Sequence, residues 1–248
     1  MTAIHEPMTA PVYLSRLRLN LRDRRVQRDL GNSQALHRRL IGAFPDATSR
    51  ADARMLYRVE AGRPGQAPDC TILVQSAAEP DWSLLGAGYL QTEAAGFWPE
   101  RDPIALKEVG ASFARIAPGD RFRFRLRANP TQKRHFKAGE AARPTGPNGT
   151  RIPILEDAGL DAWIVRKGEQ HGFRVLGARW QPDPVTGDQQ RGSKSDGRAL
   201  THYAVLFDGA LEVVDADAFQ AALVDGIGPA KAYGFGLLSL APMGASPP

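Results

Sequence analysis

Pro118-Gly119-Asp120-Arg121-Phe122-Arg123-Phe124-Arg125-Leu126-Arg127 is the stretch at which the chain starts a second time. Pro-Gly-Asp is a turn signal. Behind it Phe122, Phe124 and Leu126 alternate strictly with Arg121, Arg123, Arg125 and Arg127, the period-two pattern of a strand with one apolar face and one cationic face. Four arginines on one face repel one another unless something anionic is near. The face therefore meets a ligand, lies in solvent or packs against another part of the molecule.

Beyond this strand, Lys133 to Arg151 is polar and turn-rich and reads as an exposed excursion. A helix is expected from Leu155 to about Lys167 with Trp163 inward, then a strand from Phe173 to Trp180. Gln181 to Arg198 forms a second such excursion, carrying Arg191 and Lys194. Thr201 to Phe207 and Ala210 to Val214 flank Asp208-Gly209, the strongest hairpin signal in the chain. A helix over Ala216 to Val224 and a strand over Phe235 to Leu240 finish the half.

The amino-terminal half shows the same order. Val12 to Asn20 alternates as a strand, with Tyr13, Leu17 and Leu19 in one phase and Arg16 and Arg18 in the other. Arg22 to Asp29 reads as an arginine-rich loop. Asn32 or Ser33 caps a helix in which Leu36, Leu40 and Phe44 form an apolar stripe that Pro45 ends, with His37 beside the stripe. Strands follow at Arg54 to Glu60 and Cys70 to Ser76, joined by a loop rich in glycine and proline. A weaker helical stretch spans Asp81 to Leu90, and Ala105 to Phe113 supplies a fourth strand. Strand, helix, strand, strand, helix, strand is the ferredoxin-like order. The expected fold class is α+β, with two tandem ferredoxin-like (RRM-like, βαββαβ) domains at residues 1–117 and 118–248.

With 42% hydrophobic and 24% charged residues the 248-residue chain is globular. Its 32 Lys and Arg against 27 Asp and Glu are unevenly placed, since residues 1–40 hold eight arginines and three acids. A local basic field of that kind suits a nucleic acid, or is simply a solvated face. The single cysteine, Cys70, forbids an intrachain disulfide and reads as a buried thiol. The absence of a bilayer-length apolar run and of a signal-like amino end gives the expectation of a cytoplasmic protein.

Gly226 to Pro242, G-I-G-P-A-K-A-Y-G-F-G-L-L-S-L-A-P, sets four glycines around Lys231. Glycines let successive N–H groups turn toward one phosphate while a lysine supplies charge, although a tight helix-to-strand connection is the plainer reading of such a turn. RNA is cut without metal when one group takes the 2′-OH proton, another protonates the leaving 5′-oxygen, and cations hold the charge on phosphorus. Among five histidines, His37 lies on the first helix of the arginine-rich half, beside Arg38 and Arg39. No carboxylate pair, Ser-His-Asp order or metal-ligand spacing competes with it.

Several blocks together resemble one family: Tyr13-Leu14-Ser15-Arg16, Leu36-His37-Arg38, Gln75-Ser76, Glu79-Pro80-Asp81-Trp82-Ser83, Phe124-Arg125-Leu126-Arg127-Ala128-Asn129-Pro130, Gly226-Ile227-Gly228-Pro229-Ala230-Lys231 and Gly236-Leu237-Leu238-Ser239-Leu240-Ala241-Pro242. They are similar to the CasE family, the CRISPR-associated endoribonucleases of type I-E systems. The resemblance implies metal-independent cleavage of precursor CRISPR RNA at the 3′ base of each repeat hairpin, leaving a 2′,3′-cyclic phosphate. It also implies retention on the mature crRNA with the other subunits of Cascade, and no cofactor.

The family's helix histidine falls on His37, and the position where the family usually has a tyrosine is Gln34, an amide that exchanges no proton near neutral pH. Tyr13 is a second candidate proton donor. Arg16, Arg22 and Arg38 in the first half, and Arg123, Arg125 and Arg127 on the cationic strand, are the expected RNA contacts. Lys133, Arg191 and Lys194 in the excursions, and Gly228, Lys231 and Gly234 in the glycine segment, complete the set. The competing reading is a subunit that grips an RNA hairpin without cutting it.

Overall fold

The alternation at the amino end becomes strand β1 (Tyr13–Arg18) in a computed structural model that describes residues 11–45, 53–62, 69–91, 102–134, 150–183 and 202–243. β1 lies between β3 (Cys70–Ser76) and β4 (Ile104–Glu108), antiparallel to both, and β2 (Leu56–Ala61) flanks β3. The sheet order is β2-β3-β1-β4. Two helices from the β1–β2 connection, α1 (Arg24–Leu30) and α2 (Ser33–Ile41), contribute Val26, Leu36 and Leu40 to a core with Leu17, Leu19, Tyr57, Val59, Ile72 and Val74.

The second sheet is built from β5 (Arg121–Ala128), β8 (Phe173–Pro182), β9 (Val205–Val213) and β10 (Leu238–Pro242) in the order β10-β5-β9-β8, all antiparallel. Phe124 and Leu126 point into a core with Leu160 and Trp163 of α4 (Asp157–Gln170) and Phe219 and Leu223 of α5 (Ala216–Asp225). Trp163 stacks on Phe207 with ring centroids 5.6 Å apart. Counted from its own first strand, each sheet reads fourth, first, third, second, the antiparallel order of the ferredoxin-like fold. The protein therefore has two tandem ferredoxin-like units. Among the described residues no helix is long and apolar enough to cross a membrane.

The structure departs from the sequence reading in specific places. Arg22 to Asp29 is not a loop: Asp23 accepts the Arg25 N–H at 2.7 Å as the N-cap of α1, and Val26 and Asp29 are buried. Asp81 to Leu90 yields only a 3-10 turn, Trp82–Leu85, ended at Gly86 by a φ of 87°. Strand β4 stops at Glu108, because its carboxylate accepts the Gly110 N–H at 2.6 Å as the short helix α3 (Gly110–Ala114) begins.

Asp208-Gly209 is not a hairpin turn but the interior of the continuous strand β9. Two local demands explain the pair. A Cβ at Gly209 would collide with the Gly177 carbonyl and the Phe124 ring, and the Asp208 carboxylate accepts from Arg125 at 2.7 Å. The polar excursion after β5 opens as a two-stranded ladder, β6 (Thr131–Arg134) with β7 (Thr150–Pro153), and Lys133 sits exposed on β6. The final strand starts at Leu238 rather than Phe235. Arg191 and Lys194 lie outside the described residues.

Candidate active site

The two sheets are joined through β2. Arg58, 2% exposed, sends Nη1 to the carbonyls of Arg125 and Leu237, both at 3.2 Å, and Nη2 to Ser239 Oγ at 3.0 Å, while Glu60 on its own strand accepts from Nη2 at 2.7 Å. Burial pushes the guanidinium below its ordinary pKa, and Glu60 opposes the shift. A second tie is Gln75 Nε2 donating to the Leu223 carbonyl at 2.7 Å. These bonds hold the first sheet against β5, β10 and the end of α5, so the glycine segment that leaves α5 runs directly alongside β2.

The glycine segment is shaped by this packing. Gly234 has φ 81°, and a Cβ on it would lie 2.9 Å from the Tyr57 ring. Its lack of a side chain therefore admits both a left-handed backbone and an aromatic ring from the other sheet. The space left by its missing side chain is filled by the Tyr57 ring, so the glycine at this position is required by protein packing. Gly228 has φ 86°, and a Cβ there would meet the Trp163 ring at an ordinary 3.4 Å, so only its backbone conformation calls for glycine.

Between these glycines, Lys231–Tyr233 forms a 3-10 turn that packs against α2. The Tyr57 hydroxyl spans the junction, 3.4 Å from the Ser33 carbonyl of α2 and 3.3 Å from the Ala232 carbonyl of the turn. The helix carrying His37 and the segment carrying Lys231, far apart in sequence, are thereby neighbours.

On α2, Asn32 caps the amino end by accepting the Ala35 N–H at 2.9 Å, and Leu36 and Leu40 face the core. This leaves His37 half-buried, Gln34 and Arg38 exposed, and the Arg38 Nε donating to the Gln34 carbonyl at 3.4 Å. Arg16 is exposed on β1, Arg22 is exposed before α1, and Lys231 is half-buried. Tyr13 is half-buried on β1 opposite Ser76 and Glu108.

The corner between α1 and α2 holds a depression of about 500 Å³ lined by Arg28, Asp29, Asn32, Ala35, Arg38 and Arg39. Asp29, 1% exposed, accepts from Arg28 Nη2 at 3.2 Å, Arg39 Nε at 3.0 Å and the Tyr89 hydroxyl at 3.2 Å. Burial and the adjacent Asp29 carboxylate push the Tyr89 phenol up, and the Arg39 guanidinium lies 5.3 Å from the Tyr89 ring centroid. A buried carboxylate thus holds two of the arginines that line the depression.

The cationic face expected of β5 is largely neutralised. Arg127 is 1% exposed, its Nε bound to Asp183 at 2.7 Å and its guanidinium 4.2 Å from the Phe235 ring centroid. It has no route to an RNA phosphate, and it instead supports the glycine segment through a 3.4 Å bond from Nη1 to the Gly234 carbonyl. Arg125 pairs with Asp208 at 2.7 Å and Arg121 with Glu212 at 2.8 Å, each the residue directly opposite on β9. Arg123 faces Ala210 and Ala241 and is exposed, and among the described residues no carboxylate pairs with it.

Four contributors escaped the sequence reading. Tyr57 and Arg58 sit in a strand whose pattern gives no sign that a second sheet lies against it. Asp29 was hidden by the loop assignment, although an acid at that point between Val26 and the Asn32 cap fits a helix facing its neighbour. His171, which caps the end of α4, is half-buried, and burial, then the Lys167 and Lys231 cations, push its pKa down.

Comparison with known proteins gives a consistent picture. The profile of the family described as CRISPR associated protein matches residues 12–242. The CRISPR-associated endoribonuclease Cse3 of Thermus thermophilus is 37% identical over 238 residues, covering 93% of this chain and 100% of that protein. The CRISPR system Cascade subunit CasE of Escherichia coli K12 is 30% identical over 216 residues, covering 84% and 91%. In three dimensions, Thermus thermophilus Cse3 bound to an RNA representing a pre-cleavage complex aligns with a TM-score of 0.73 at 35% identity, covering 94% of this chain and all of the other. Cas6e of Escherichia coli K-12 aligns with a TM-score of 0.57 at 28% identity, covering 93% and 100%.

Proposed function

Since the chain belongs to the CRISPR-associated protein family, we propose that it is the endoribonuclease that binds the repeat hairpin of precursor CRISPR RNA, cuts at the 3′ base of the stem to leave a 2′,3′-cyclic phosphate, and stays with the mature crRNA as a subunit of Cascade. The observation that supports this most is the packing of α2, with His37, on the Lys231–Tyr233 turn. It gathers a group that moves protons near neutral pH and a cation that stabilises charge on a phosphorane.

His37 transfers the proton to or from the reacting ribose oxygens, and Lys231 with Arg38 steadies the scissile phosphate. The cationic α1–α2 corner, which includes Arg38 next to His37 in sequence, receives the RNA backbone. Each ferredoxin-like unit is a domain, with the boundary at residues 117/118 in the turn between α3 and β5. As a processor of precursor CRISPR RNA, it acts in the cytoplasm in this reading.

The test is incubation of the purified protein with its cognate repeat RNA in EDTA. A single cut at the 3′ base of the stem with a cyclic-phosphate end is the expected result. Tight binding with no cut would replace the enzyme by a hairpin-holding subunit, the alternative that Gln34, in the position of the family's tyrosine, keeps in view.

A further inference from the structure

We infer that Tyr57 is a positioning residue for RNA cleavage: its side chain joins the helix bearing His37 to the turn bearing Lys231 and sets their separation. This deepens the proposed function and rests on it.

Tyr57 lies on β2 with its side chain fully buried, in the same core as Leu36 and Leu40 of α2. Its ring occupies the space above Gly234, where any side chain would collide with it. Its hydroxyl lies within hydrogen-bonding distance of two main-chain oxygens, Ser33 at 3.4 Å and Ala232 at 3.3 Å. A phenol has one proton to donate, so it is shared between the two carbonyls or alternates between them. Either way, both carbonyls are tethered to one atom on a rigid ring.

The geometry on each side carries the constraint to the reacting groups. Ser33 is the first residue of α2, one turn before His37, and Ala232 directly follows Lys231. The far side of the turn is anchored by Arg127, which bonds to the Gly234 carbonyl and accepts the Gly236 N–H at 2.9 Å, and β2 itself is fixed by Arg58. The segment is thus gripped from the second sheet by Arg127 and from the first by Tyr57, whose hydroxyl also reaches the first turn of α2. Main-chain contacts of this kind act on register rather than on charge, so removing the hydroxyl shifts the alignment of acid–base and phosphate-holding groups without removing either. Misplacement of a reacting group by about 1 Å costs on the order of 10²-fold in rate.

The test is Tyr57→Phe, which keeps the ring over Gly234 and removes only the hydroxyl, compared with wild type and His37→Ala. Single-turnover cleavage of the repeat hairpin, affinity for an uncleavable 2′-deoxy hairpin, melting temperature and the pH dependence of the rate are measured for each. The expected result for Tyr57→Phe is a rate lower by about 10- to 100-fold, with affinity within about threefold, melting temperature within a few degrees, and an unchanged midpoint of the pH profile, because Tyr57 exchanges no proton with the RNA. Cleavage at the wild-type rate by Tyr57→Phe, with His37→Ala inactive, would overturn the inference and leave the site intact. A loss of affinity or melting temperature in step with the rate would overturn it in favour of a merely structural tyrosine. Cleavage at the wild-type rate by His37→Ala would instead remove the site reading on which the inference rests, and the inference with it.

Discussion

β5 and the α1–α2 corner come from comparably basic stretches, and their arginines are matched by carboxylates to different degrees. On β5, Arg121, Arg125 and Arg127 each meet a carboxylate, from Glu212, Asp208 and Asp183, within 2.8 Å. At the corner, Arg25 pairs with Asp23 at 2.6 Å while Arg28 and Arg39 share the single buried Asp29 at 3.2 and 3.0 Å, so the cations outnumber the carboxylates and Arg38 stands exposed beside them. Alternation along a strand therefore tells which face the arginines share, and the register of the neighbouring strand decides whether that face is available. The basic helical corner reaches RNA in this account, and the basic strand holds the molecule together.

The sharpest way to break that contrast is Arg127→Ala. If Arg127 is structural, leaving Asp183 buried without its partner costs about 3–5 kcal/mol in chemical denaturation, and the salt dependence of RNA binding, measured below the unfolding range, is unchanged. A reduced salt slope with undiminished stability would return Arg127 to the RNA. Gly234→Ala comes next. Its positive φ and the Tyr57 ring at 2.9 Å predict a loss of about 1–3 kcal/mol, seen as a lower melting temperature before any change in salt slope.

Arg38→Ala and Arg123→Ala are expected to leave the melting temperature unmoved. For Arg38 the slope of log K against log salt falls by about 0.7 to 0.9, one phosphate contact. The same fall for Arg123 would extend the RNA path onto β5, and no fall would end it at the corner. The smallest effect concerns acid. Arg25 holds the Asp23 carboxyl at about 2, below its ordinary 3.8, so the stability it contributes is present above pH 3.8 and is lost as pH falls through about 2. Asp23→Asn should flatten the decline of melting temperature across that window, and an unaltered decline would show that the pair contributes nothing measurable.

Much of the fold was legible because it rests on local patterns. Phe122, Phe124 and Leu126 declare a strand without reference to anything else, and Asn32 with Leu36 and Leu40 declares a capped helix. What escaped depended on long-range pairing. Asp208-Gly209 has the chemistry of a turn, and only the approach of the Gly177 carbonyl and the Phe124 ring reveals why a glycine is required inside a strand. Reading it as a turn also removed Asp208 from the ladder, which left Arg125 without its partner and made the cationic face look open. Of the candidate site, His37 and Lys231 were legible as chemistry-bearing residues in unusual surroundings. The packing of the helix that bears His37 on the turn that bears Lys231 was not, because that contact exists only once the second sheet lies against β2, with Tyr57 and Arg58 between them.

The central claim is that cleavage depends on His37. Single-turnover cleavage of the cognate repeat hairpin in EDTA by His37→Ala, beside a direct measurement of hairpin affinity, tests it most directly. The account predicts a rate lower by about 10²- to 10⁴-fold with affinity kept within a few-fold, as expected when a proton-transfer group is lost. Cleavage by His37→Ala at the wild-type rate would contradict it and move the chemistry to another part of the molecule.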